Sequence, residues 1–121
     1  MLMTPGLFAR NVGATRDTDV YTIYDLTVID DLGQSIVTLS RTDLKPRRET
    51  RGHSHAGQRE TYYFWGTGSG IMILGEEEVK VGAGVVVDIP DGVFHKVINQ
   101  GDETLSFYCT FNGAPGRPST S

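Results

Sequence analysis

Only one of the 121 residues is a cysteine, Cys109, so no intrachain disulfide can form and nothing in the chain calls for an oxidising compartment. Cys109 is accordingly expected to act as a small core residue. Positive charge is also scarce: 11 Lys and Arg stand against 15 Asp and Glu, a net charge of -4. That balance argues against a general nucleic-acid partner, because such binders gather basic residues in excess on one face. Long apolar runs are missing. The opening "MLMTPGLFAR" has no basic leader and is interrupted by Thr4, Pro5 and Gly6. Neither a signal peptide nor a spanning helix is expected, and the chain reads as cytoplasmic with no membrane partner. No segment sustains the apolar stripe of about 3.6 residues that marks a helix, so helices have little place here.

Glycine, by contrast, is abundant, with 15 residues against an average usage of about 7%. Between the glycine-rich turns lie short runs in which apolar and polar residues alternate, the signature of strands. The expected strands are Asp19 to Ile29, Gln34 to Ser40, Thr61 to Trp65, Gly70 to Leu74, Glu78 to Val81, Val85 to Ile89, Val93 to Asn99 and Thr104 to Phe111. Turn signals such as "DDLG", "LKPRR", "GTGSG", "LGEEE" and "PDG" separate them. Even spacing of strands and turns indicates one all-β domain over 1–121, a barrel or sandwich, with a tail at 112–121 that is expected to fray.

The chain has three histidines, and two of them fall in "GHSHAGQRE", Gly52 to Glu60. In an extended segment, residues two apart face the same side, so His53 and His55 can point at one centre while Ser54 points away. The same period puts Glu60, Tyr62 and Phe64 on one face of the next run and Tyr63 and Trp65 on the other. His95, in "VFHKVIN", offers a third imidazole. Spacing alone leaves a metal site and a polar loop both open.

The second segment is more specific. "GVVVDIPDGVFHKVIN" sets Gly84, Pro90, Gly92, His95 and Asn99 in a fixed frame, which random sequence would match on the order of once in a million starts. With "HSHAGQRE" upstream, it resembles the two motifs of the cupin superfamily. The first reads His-x-His, a few residues, then Glu; the second reads Gly, five residues, Pro-x-Gly, two residues, His, three residues, Asn. Two positions depart. Arg47 stands where the first motif opens with glycine, and Thr67 stands where a glycine follows Glu60, between Gly66 and Gly68.

The resemblance implies a double-stranded β-helix, the jelly-roll barrel of cupins, and metal motifs at 53–60 and 84–99. It further implies one divalent metal held by His53, His55, Glu60 and His95, with positions left for water or substrate. Three imidazoles and a carboxylate suit Mn, Fe, Ni, Co or Zn without choosing among them. Pro90 and Gly92 would form the turn presenting His95, and Asn99 would end that strand.

Near the motif lie Arg41, Lys45, Arg47, Arg48 and Arg51 against Asp43 and Glu49. Read functionally, Arg47, Arg48 and Arg51 guide an anionic substrate; read structurally, the cluster is a solvated edge. Tyr62 and Phe64 either line a pocket or fill the core. Glu49 and Tyr62 are the candidates for proton transfer. Tyr63 and Trp65 would face a partner subunit, as in the many small cupins that dimerise. The expected function is metal-assisted isomerisation of a sugar or similar hydroxy-carbonyl molecule, from a modest likeness to cupin-type sugar-phosphate isomerases. Two alternatives stand beside it, an Fe(II)-dependent dioxygenase and a non-catalytic metal- or ligand-binding protein.

Overall fold

A computed structural model describes the backbone of residues 7–30 and 35–113 and the side-chain surroundings of 16–24, 39–57 and 59–110. Nine strands run through the described residues, and none of these residues is helical. They are β1 (Leu7–Asp17), β2 (Tyr21–Asp30), β3 (Ser35–Leu44), β4 (Gln58–Trp65), β5 (Ser69–Leu74), β6 (Glu77–Gly82), β7 (Val86–Ile89), β8 (His95–Ile98) and β9 (Leu105–Gly113). All pairings are antiparallel. One sheet has the order β1-β2-β3-β9-β4-β7 and the other β6-β5-β8. This is the jelly-roll architecture that the motifs imply. The segment after β3 adds itself to the free edge of β8 through bridges Glu49↔Ile98 and His53↔His95.

The strand ladder departs from the sequence reading in two informative places. β1 was not foreseen, because register shifts between Asn11 and Ala14 and between Ala14 and Arg16 break its alternation. β3 runs four residues beyond Ser40, to Leu44, and buries Thr42 where the pattern calls for an apolar residue. The expected tail at 112–121 splits: residues 112–113 belong to β9, and the rest lie outside the described residues.

Where side chains are described in β3 to β9, alternate residues face the space between the sheets. Leu44, Phe64, Met72, Val81, Val87, Ile89, Val97, Leu105 and Phe107 fill it, all buried. Full burial of such a side chain stabilises the fold by roughly 1.5–3 kcal/mol, so this set outweighs any surface interaction in the molecule. Cys109 is buried with them, and burial pushes its thiol well above the usual range. The "GTGSG" crossover packs just as tightly. A Cβ at Gly68 would overlap the carbonyl oxygen of Thr104, so close approach to the start of β9 requires glycine there and leaves Thr67 exposed. No helix among the described residues is long and apolar enough to cross a membrane.

Candidate metal centre

The main chain brings the two motifs together. His53 and His95 exchange backbone hydrogen bonds, His53 N–H to His95 O at 3.0 Å and the reverse at 2.9 Å. Such a directly opposed pair presents both side chains on one face of the ladder. The turn over Pro90 to Val93 places Gly92 at φ +80°, a conformation free only to glycine, and its N–H donates to His55 O at 2.8 Å. Asp91 reinforces the junction by accepting a 2.6 Å hydrogen bond from the Gly57 N–H. Glu60 comes from the opposite sheet, on β4 between Ile89 and Phe111.

Four side chains thereby converge. His53, His55, Glu60 and His95 each offer a ligand atom, and these atoms all lie within 4.8 Å of one another. Ring centroids of His53 stand 4.5 Å from those of both His55 and His95. Donors bonded to one ion at about 2.0–2.2 Å lie at most about 4.4 Å apart, so a small contraction of this cluster would close it on a single ion.

Electrostatics favour a cation as well. Glu60 and His95 are each 1% exposed, and neither Glu60 oxygen nor the Nε2 atoms of His53 and His95 has a hydrogen-bond partner. Isolated buried carboxylates are costly unless a cation sits beside them. His55 Nε2 and His95 Nε2 approach Glu60 Oε1 at 2.9 and 3.0 Å. Distance alone would make these ion pairs, yet Glu60 Oε1 accepts no hydrogen bond, and direction is the stricter criterion. In His95, Nδ1 lies 2.9 Å from the Val93 carbonyl oxygen, an acceptor, so Nδ1 carries a hydrogen and Nε2 is the atom left to serve as a metal ligand beside Glu60. Burial, helped by the neighbouring His95 and His55, lowers His53 to about 4 against the opposing pull of Glu60. Its imidazole is therefore neutral near pH 7 and ready to donate a lone pair.

The other candidates are distributed around this centre. Tyr62 is buried next to it, edge-on to His95 at 5.7 Å and stacked on Phe107 at 4.9 Å. Burial, Cys109 and Glu60 push its phenol well above the ordinary value, and it hydrogen-bonds Cys109. Phe64 packs in the core against Phe107, with centroids 5.1 Å apart. Glu49 is elsewhere: its carboxylate accepts from Lys96 Nζ at 3.1 Å, and Lys96 alternates with His95 along β8, so the pair occupies the outer face. Structure does not bring Glu49 to the ligands.

Most of the basic cluster is already engaged. Arg41 pairs with Asp43 at 3.0 Å on an interior strand, Lys45 with Asp17 at 3.4 Å, and Arg47 with Asp102 at 2.6 Å. Arg48 and Arg51 are exposed and make no ion pair among the described residues. Arg47 adopts φ 62°, the conformation that the glycine of the family motif would take freely. The position therefore has a backbone conformation that suits glycine, although arginine stands there.

Three supporting groups were not legible beforehand. The Val93 carbonyl and the hydroxyl of Thr50, which accepts from Val97 N–H at 2.9 Å, act through backbone geometry that spacing does not reveal. Asn99 does more than end a strand. Fully buried, its Nδ2 donates to the carbonyls of Leu44 at 3.0 Å and Glu103 at 2.8 Å, and its Oδ1 accepts from Gly101 N–H at 3.1 Å. Asparagine at that motif position was the available signal.

Comparison with known proteins agrees with this geometry. A family model described as a cupin domain matches residues 40–111. Among solved structures, a cupin-2 domain from Rhodospirillum rubrum superposes with a TM-score of 0.68 at 19% identity, covering 100% of this chain and 79% of that one. A predicted oxalate decarboxylase from Thermotoga maritima gives 0.63 at 19%, covering 88% and 93%. A cupin 2 conserved barrel domain protein from Salinispora arenicola gives 0.59 at 20%, covering 89% and 76%. At these identities the likeness establishes the fold alone. No curated protein sequence matches the chain significantly.

Proposed function

The chain belongs to the cupin family, and on that premise we propose that it is a small cytoplasmic metal-dependent enzyme acting on a sugar or similar hydroxy-carbonyl compound by isomerisation. The observation that carries the metal requirement is the buried donor set, in which a carboxylate faces three imidazoles without a hydrogen bond of its own. A divalent ion held there supplies Lewis-acid polarisation of adjacent substrate oxygens. Of the two proton-transfer candidates we retain Tyr62. Its raised phenol keeps its proton, which suits it to donate a hydrogen bond and not to act as base. Arg48 and Arg51 remain the side chains with charge to spare for an anionic substrate group.

The name of one solved neighbour, a predicted oxalate decarboxylase, adds a small carboxylate as a second substrate class to assay. Metal analysis with turnover assays separates the readings. Stoichiometric metal with interconversion of a hydroxy-carbonyl substrate supports isomerisation. Tightly bound iron with substrate-dependent oxygen uptake would replace it with an Fe(II) dioxygenase, and metal without turnover would leave a non-catalytic binder.

A second copy of the chain is the proposed macromolecular partner. Register places Tyr24, Arg41, Tyr108, Tyr63 and Val86 side by side across five strands of the large sheet. Tyr63 and Val86 are 42% and 59% exposed, Trp65 stacks on Tyr108, and the Arg41 guanidinium lies over both Tyr24 and Trp65. Ion pairs Arg41–Asp43 and Arg59–Asp88 on this face are internally neutral, so two copies of a protein of net charge -4 can meet there without repulsion.

A further inference from the structure

Four large apolar side chains stay exposed among the described residues, and Phe94 alone of them adjoins the small sheet. Its ring is not in open solvent on both sides. A Cβ built on Gly52 would stand 2.6 Å from Phe94 Cζ, 3.1 Å from Phe94 Cε1 and 3.1 Å from Lys96 Cβ. The ring edge therefore occupies the place of a side chain at position 52, whose φ of +86° also favours glycine.

That contact falls at the weak point of the first motif. Segment 48–53 hangs on the edge of β8 by the Asn99 N–H to Arg48 O bond at 2.8 Å, the Thr50 N–H to Val97 O bond at 2.9 Å and the reciprocal His53–His95 pair. Among the described residues no backbone hydrogen bond joins Arg51 or Gly52 to β8. His53, next in the chain, is also the least buried of the four ligand residues. An aromatic ring laid across a glycine of a neighbouring edge segment restores the packing that the missing side chain forgoes.

We propose that Phe94 is a positioning residue for the metal centre: by covering Gly52 it holds the His53 imidazole within the donor cluster. This rests on the metal reading above.

The test uses the full chain and Co(II), read by its visible absorption bands and by titration. Phe94→Ala is expected to weaken Co(II) binding about 10- to 100-fold, the range for residues that orient ligands. Its Co(II) spectrum should match that of His53→Ala, and Phe94→Ala should add no further loss in the His53→Ala background. Phe94→Leu, which keeps an apolar cover, should give an intermediate loss with the same lack of additivity, and it serves where Phe94→Ala does not fold. Wild-type affinity and spectrum in Phe94→Ala would overturn the proposal, as would an equal loss in the His53→Ala background. A wild-type chain that takes up no Co(II) would overturn the metal centre and the proposal together, a result distinct from both.

Discussion

His95 Nδ1 lies 2.9 Å from the carbonyl oxygen of Val93, two residues back in its own strand entry. That contact puts a hydrogen on Nδ1 and leaves Nε2, 3.0 Å from Glu60 Oε1, as the atom that can bind a metal. The centre is thereby organised for a cation, and several consequences are measurable.

Glu60 illustrates the first. Its carboxylate is buried without a hydrogen bond, so in metal-free protein it opposes folding. Glu60→Gln is expected to leave the melting temperature of the metal-free protein equal or higher, while abolishing the rise in melting temperature on metal addition. Calorimetry of stripped and loaded samples checks both; a metal-free variant that melts several degrees lower would contradict the account.

Acid should act through His53. Its folded value of about 4 lies below its ordinary value of 6.5, so between these limits the unfolded chain binds more protons than the folded one. Stability of the metal-free protein is therefore expected to fall as pH drops from about 6.5 toward 4 and to take no further loss from this group below that. Denaturant midpoints across this range should show a shallower slope in His53→Gln than in wild type.

Arg47 sets a third expectation. A left-handed non-glycine residue costs about 1–2 kcal/mol, whereas its exposed ion pair with Asp102 is worth about 0–1 kcal/mol. Since glycine also loosens the unfolded chain by roughly 0.4–1 kcal/mol, Arg47→Gly should fall between a loss of about 1 kcal/mol and a gain of about 1.6 kcal/mol and leave metal content intact. Urea unfolding measures it, and a larger loss would assign Arg47 a contact beyond Asp102.

Association can be addressed at Trp65. Trp65→Glu sets a charge against the partner's equivalent surface and is expected to yield a monomer by light scattering where wild type is dimeric, without loss of bound metal. A wild-type monomer at high micromolar concentration would remove the interface.

Much of this was legible in the sequence because function here depends on a periodicity. The spacing of His53 and His55, and the parity of Glu60, Tyr62 and Phe64 against Tyr63 and Trp65, translate directly into buried and exposed faces. What could not be read depends on contacts between distant backbones. β1 was hidden by its bulges, and the end of β3 by a buried threonine. Glu49 looked near the ligands in sequence, but strand alternation carries it with Lys96 to the outer face. The cationic cluster looked like a single feature until Asp17, Asp43 and Asp102 were seen to engage three of its members separately.

The central claim is that His53, His55, Glu60 and His95 hold one divalent ion. Elemental analysis of purified wild-type and His55→Ala proteins tests it most directly. About one equivalent of a transition metal in the wild type and a large loss in a folded His55→Ala variant is the expected result. Equal metal content in the two, or none in the wild type after exposure to Mn, Fe, Co, Ni and Zn, would contradict it.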